Sequence, residues 1–125
     1  MTPNFDAIEY KPHAKLNLSL EVLGRREDDY HEICTVMVPI TLYDRLFVRR
    51  KSQGDNRVDL VCTKKSSNVR CDPSDIPCGD DNLAYQAVTK FFERYPVEGG
   101  VQIELAKLIP AASGLGGGSS NAAHV

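Results

Sequence analysis

Pro110-Ala111-Ala112-Ser113-Gly114-Leu115-Gly116-Gly117-Gly118-Ser119-Ser120 sets four glycines within five positions, directly before a helix-forming Asn121-Ala122-Ala123. Glycine reaches positive φ without a Cβ clash and lets a ligand approach the main chain closely. Successive N–H groups in such a turn make a concave anion site, and the N-terminus of the following helix adds positive partial charge. Ser119 and Ser120 supply hydroxyls for phosphate oxygens or a magnesium ion. Two better-known phosphate motifs are excluded. A P-loop needs a lysine after its glycines, and none follows here. A dinucleotide fingerprint begun at Gly114 would need glycine at 119, where the chain has serine, and it would open a first βαβ unit. A flexible glycine-rich tail is the competing reading. Leu115 interrupts the glycines and a helix follows them, which favours a phosphate cradle.

Working outward, Val101, Ile103 and Leu105 alternate with polar neighbours and predict a strand leading to the cradle. Before it, Asp80-Asp81-Asn82 offers caps for a helix to about Tyr95, with Leu83, Ala84, Ala87, Val88 and Phe91 as its apolar stripe. Pro96 and Gly99-Gly100 end that helix. Further back, residues 8–22 alternate clearly after Pro12. Leu16, Leu18, Leu20 and Val22 face one way, Lys15, Asn17, Ser19 and Glu21 the other, as in a half-buried strand. Gly24–Asp29 reads as a hairpin connection, Tyr30–Leu42 as a second strand bent near Pro39, and Leu46–Arg50 as a third after a Tyr43-Asp44 turn. Ser52–Asn56 reads as a turn, Val58–Cys62 as a strand, and Thr63–Gly79 as a surface excursion. No internal repeat is present. The order predicts an α+β domain whose last elements lie beyond residue 125.

The 125 residues leave room for one core. With 42% hydrophobic and 26% charged residues, the composition is that of an ordinary globular chain, and no apolar run approaches a membrane span. The N-terminal residues lack the pattern of a secretory signal, so the expected location is cytoplasmic. A formal charge of −2 lacks the basic footprint of a nucleic-acid binder, and Arg49-Arg50-Lys51 and Lys64-Lys65 read as solvated surface. Cys34, Cys62, Cys71 and Cys78 form no C-x-x-C pair, and no histidine falls at zinc-finger spacing from them. Cys62, Cys71 and Cys78 share one polar region where a metal clip or a disulfide is the alternative, but free thiols and no protein-held metal are expected in a reducing cytosol.

The run from Pro110 to Ser120 resembles the ATP-binding motif of the GHMP kinases, the group that includes galactokinase, homoserine and mevalonate kinases. Ala14-Lys15-Leu16-Asn17-Leu18, then Gly24-Arg25-Arg26-Glu27-Asp28-Asp29-Tyr30-His31-Glu32, is similar to the opening of the cytidyl-methylerythritol kinases within that family. Asp81-Asn82-Leu83 and Lys107-x-Ile109-Pro110 fit the same subfamily.

The resemblance implies that residues 1–125 are a GHMP kinase N-terminal ATP-binding domain, of a fold also found in ribosomal proteins and translation factors, truncated before a C-terminal domain. It implies that ATP, with Mg2+, phosphorylates the 2-hydroxyl of 4-diphosphocytidyl-2-C-methyl-D-erythritol in non-mevalonate isoprenoid synthesis. It assigns Lys15 to the active site, Asn17 to substrate contact, and Tyr30 and His31 to cytosine recognition. Pro110, Ala111, Ala112, Ser113, Gly114, Leu115, Gly116, Gly117, Gly118, Ser119 and Ser120 become the nucleotide loop. On a strand, Lys15 and Asn17 share a face about 6.6–6.8 Å apart, compatible with those roles.

Asp29 stands where the family usually has glycine, at a cost on the order of 1 kcal/mol if the position demands positive φ. The family's catalytic aspartate lies in a Gly-Ala-Asp-Val-Pro-like segment beyond residue 125, so negligible kinase activity is expected of this polypeptide alone. The alternatives are another GHMP kinase, of mevalonate or homoserine type, and a non-catalytic binding module. RNA binding by such a module is disfavoured by the acidic balance.

Overall fold

The computed structural model describes residues 7–51, 57–64 and 77–125. Pro12 divides the first predicted strand in two. Proline has no N–H for a ladder, and the chain leaves one sheet at Tyr10 and enters another at His13. Strand β1 (Ile8–Tyr10) pairs antiparallel with β4 (Arg45–Lys51), whereas β2 (His13–Arg25) pairs antiparallel with β3 (His31–Tyr43). Pro12 is buried at this junction, and its carbonyl accepts the Asp44 N–H at 3.0 Å.

The main sheet has the order β1-β4-β6-β5, with β5 (Val58–Lys64) parallel to β6 (Gly100–Lys107) and β4 antiparallel to β6. Register explains its core. Leu46, Leu105 and Cys62 form one row across the sheet, and Val48, Ile103 and Leu60 the next. Leu46, Ile103 and Leu105 are fully buried with Val58 and Val88, and each contributes about 1.5–3 kcal/mol of transfer free energy.

Helix α1 (Leu83–Arg94) joins the parallel strands β5 and β6. Asn82 caps it, its side-chain oxygen accepting the Ala84 N–H at 2.9 Å. The stripe it buries is narrower than the sequence predicts. Ala84 and Val88 are buried and Tyr85 and Phe92 pack on the core, while Leu83 and Phe91 stay about half exposed. Helix α2 (Gly117–His124) takes in Gly117, Gly118, Ser119 and Ser120 ahead of the helix-forming Asn121-Ala122-Ala123.

The half-burial expected of the 16–22 stretch does not occur. Leu16, Leu18, Leu20 and Val22 are 44–66% exposed, and Ile33, Val36 and Met37 on β3 are similarly open. The alternation is present, but β2 and β3 form a two-stranded ribbon whose faces no described element covers beyond its base. The bend expected at Pro39 is a register shift. His13 pairs with Tyr43 but Lys15 with Pro39, so β3 carries extra residues there. The turn expected at 52–56 and most of the excursion, including Lys65 and Cys71, lie outside the described residues.

Candidate functional site

The glycine-rich stretch is an ordered loop between β6 and α2. Positive φ recurs at Ala112 (52°), Gly114 (74°) and Gly116 (70°). Such alternation turns main-chain N–H groups toward a common side and makes an anion-binding concavity. Ser113 tightens the turn by donating to the Pro110 carbonyl at 2.8 Å. Gly116 stands at the N-cap of α2 with no side-chain cap, and the first helical bond runs from the Ser120 N–H to the Gly116 carbonyl. The amides of Gly117, Gly118 and Ser119 are therefore the helix's unsatisfied donors.

These amides border a cavity of about 330 Å³. Pro110–Gly114 and Gly116–Ser119 line one side. Pro77 and Asp81–Leu83, at the start of α1, line another, and Leu105, Lys107 and Asn121 form the floor. Ten of the eleven predicted loop residues thus fall into two groups: nine line the cavity, and Leu115 faces β2 instead. Ser120 sits one residue deeper in α2 and donates its N–H within the helix.

Lys15 stands against this loop. Its N–H donates to the Leu115 carbonyl at 2.9 Å, and its stem lies across Gly116, where a Cβ would come within 3.0 Å of Lys15 Cγ. The missing side chain at 116 is thus what admits Lys15. Asn17 follows two residues on and is exposed. Tyr30 and His31 are not brought to the same place. They lie at the tip of the ribbon, where His31 pairs with Arg25, ten residues along β2 from Lys15, a contour of about 33 Å for a straight strand. Three register shifts shape the path between. Asp29, at the tip, has φ 64°, so the glycine-favouring conformation anticipated there is present. Asp29 forms an exposed ion pair with Arg25 at 2.6 Å.

Beneath the loop lies a cluster that sequence reasoning missed. Asp44, read as a turn residue, is fully buried. Its Oδ1 accepts the N–H groups of Leu108 (2.7 Å) and Ile109 (2.8 Å), and its Oδ2 accepts from Lys107 Nζ (2.5 Å) and Asn121 Nδ2 (3.0 Å). Lys107 Nζ also donates to Asn121 Oδ1 at 3.1 Å. The sequence offers no local signal for it: the expected strands end at Leu42 and resume at Leu46, whereas the structure leaves only Asp44 between β3 and β4.

Near Pro77 and Asn82, burial and a hydrogen bond with Cys78 push the Cys62 thiol up to about 12. Cys34, Cys62 and Cys78 are thiols, not disulfides. Among the described residues no cluster of His, Cys, Asp or Glu could hold a metal, and no helix is long and apolar enough to cross a membrane.

Residues 82–125 match the family model for the GHMP kinases N terminal domain. The chain is 41% identical to a 4-diphosphocytidyl-2-C-methyl-D-erythritol kinase of Acetivibrio thermocellus, over 96% of this chain and 38% of the relative. It is 43% identical to the kinase of the same name from Clostridium kluyveri, over 92% of this chain and 37% of the relative. A crystal structure of 4-(cytidine 5'-diphospho)-2C-methyl-D-erythritol kinase superposes with TM-score 0.67 at 40% identity, covering 94% of this chain and 37% of that one. A homoserine kinase from Cytophaga hutchinsonii shares the fold at TM-score 0.60 and 18% identity, over 94% of this chain and 32% of that one. The chain therefore spans under two fifths of the length of the curated relatives it matches.

Proposed function

We propose that the chain is a GHMP kinase ATP-binding domain serving phosphorylation of the 2-hydroxyl of 4-diphosphocytidyl-2-C-methyl-D-erythritol in isoprenoid synthesis, a reading supported by the family match over residues 82–125 and by the 41–43% identity to kinases of that name. The observation that carries the proposal is Lys15 lying across Gly116, with its N–H on the Leu115 carbonyl. A cation thereby stands beside a loop built to hold phosphates.

In this reading the amides of Gly117, Gly118 and Ser119 take the ATP phosphates, and residues 110–114 wall the nucleotide. Phosphoryl transfer demands positioning and positive charge more than covalent chemistry by the protein. The substrate oxygen bonds to the γ-phosphorus, the bond to the ADP oxygen breaks, and the hydroxyl proton passes to water. Lys15 sits where it can balance charge on the transferred group. Asn17, on the same strand, contacts the substrate, and Tyr30 and His31 recognise the cytosine by stacking and hydrogen bonding.

Magnesium fits this donor set only as an ion carried by the nucleotide. It is ordinarily held by one or two carboxylates plus substrate phosphates, and the cavity offers Asp81 and the hydroxyl of Ser119. Bound, it would neutralise charge on the phosphates. The reaction belongs in the cytoplasm, where ATP is supplied and cysteines remain thiols.

A ligand of the native state raises its stability by mass action. Thermal melts with ATP and with cytidine nucleotides should each show stabilisation. Lys15→Ala should diminish the ATP effect, and the double change Tyr30→Ala/His31→Ala the cytidine effect. A chain that melts at the same temperature with and without both nucleotides would sink the proposal.

A further inference from the structure

We infer that Asp44 is the positioning residue of the glycine-rich loop, its buried carboxylate fixing the strand end that leads in, the helix that leads out, and the ammonium of Lys107 between them. The inference rests on the proposed nucleotide role of that loop and names what holds it in shape. Leu108 and Ile109 immediately precede the loop, and both donate their N–H to Asp44 Oδ1. Asn121 lies in α2, which immediately follows it, and donates to Oδ2. A side chain on the β3–β4 junction, over sixty residues away in sequence, thus grips both ends of the loop.

The chemistry requires a carboxylate. An ionised Asp accepts at about four lone-pair sites and donates nothing, and four donors converge on Asp44. Lys107 explains why negative charge is needed. A Cβ at Gly117 would come within 3.2 Å of Lys107 Nζ, so the ammonium sits under the first turn of α2. That is the positive end of a helix, where a cation is repelled. Asp44 offsets the repulsion and keeps Lys107 at the cavity floor. An amide at 44 cannot do this. Oriented to accept from Leu108 and Ile109, its NH2 meets Lys107 Nζ and Asn121 Nδ2, donor against donor; flipped, it meets the two backbone N–H groups.

The same geometry supplies a rescue. In the double variant Asp44→Asn/Asn121→Asp, the carboxylate moves to position 121, to which Lys107 Nζ already donates at 3.1 Å. The amide at 44 can then accept from Leu108 and Ile109 while donating to that carboxylate; Lys107 loses its acceptor at 44 but gains a full negative charge at 121, where it already donates.

The test measures amide hydrogen exchange and ATP affinity in the wild-type chain, in Asp44→Asn, and in the double variant. Asp44→Asn should speed exchange at residues 108–118 and weaken ATP by about tenfold or more, as for a charge-assisted hydrogen bond left unmade, while β4, β5 and β6 keep their protection. The double variant should recover both in part, since it restores the charge beside Lys107 but not the acceptor at 44. Unchanged loop exchange in Asp44→Asn overturns the inference, as does a folded Asp44→Asn whose sheet and loop lose protection equally. So does a double variant as impaired as the single one, a comparison that stands even if Asp44→Asn alone fails to fold. A wild-type chain that binds no ATP overturns the proposed function instead, and loop exchange then decides the role of Asp44 by itself.

Discussion

Gly116→Ala should destabilise the chain by about 2 kcal/mol, and roughly half of that should trace to one side chain, Lys15. Gly116 has φ 70° and ψ 20°. An L-residue held there pays about 1–2 kcal/mol, offset by about 0.4–1 kcal/mol because alanine also restricts the unfolded chain. Gly114 isolates this backbone effect, since its φ is 74° and a Cβ there meets nothing within 4 Å. Gly114→Ala should therefore cost about 1 kcal/mol. At Gly116 the new Cβ also meets Lys15 Cγ at 3.0 Å and Cε at 3.2 Å, and moving the lysine stem should add about 1 kcal/mol, the low end of overpacking. Lys15→Ala removes both crowding atoms. Urea unfolding followed by circular dichroism gives the four free energies of the Gly116→Ala/Lys15→Ala cycle, and the coupling should be about 1 kcal/mol. If Gly116→Ala costs the same with Lys15 present or truncated, then Lys15 does not lie across the loop, and the geometry carrying the functional proposal is wrong.

Two further outcomes are expected. Gly100→Ala should be among the most damaging single changes, because its Cβ would stand 2.6 Å from the Arg57 carbonyl oxygen, a backbone atom that cannot rotate away. A loss of about 2–3 kcal/mol is expected from overpacking, read as a drop in melting temperature that Gly79→Ala, pointing into open space, does not share. Burial and the hydrogen bond with Cys78 raise the Cys62 thiol from 9.0 to about 12. A group whose folded pKa is raised contributes stability below its unfolded pKa and loses it as pH rises, so stability should fall from pH 9 toward 12, and less steeply in Cys62→Ser. Equal pH slopes for the two proteins would contradict this assignment.

Most of the main sheet was legible because its pattern is local. Val101, Ile103 and Leu105 alternate in sequence and face the core in space. Asn82 caps α1 as its residue type invites. The ribbon was legible as strands but not as surface. Periodicity reports which residues share a face, and not whether anything covers that face. Leu16, Leu18, Leu20 and Val22 alternate as a core strand does and are nonetheless exposed. The break at Pro12 sends β1 and β2 into different sheets, and a continuous reading across that proline could not anticipate two partners.

The candidate site divides along a similar line, and the division follows from which atoms do the holding. A cradle made of main-chain amides needs particular backbone angles, so it writes itself into sequence as glycine, and the positive φ at Gly114 and Gly116 answers that spelling. Ala112 shows the limit, since it adopts φ 52° with a residue type that gives no hint of it. Asp44 shows the opposite limit. Nothing next to it in sequence explains burying a carboxylate, because its partners are Lys107, Leu108, Ile109 and Asn121, all more than sixty residues on. A buried charge is tolerated only when fully paired, and pairing at that range is a property of the fold. The loop could thus be found by reading along the chain, whereas what holds it in place could be found only by closing the chain upon itself.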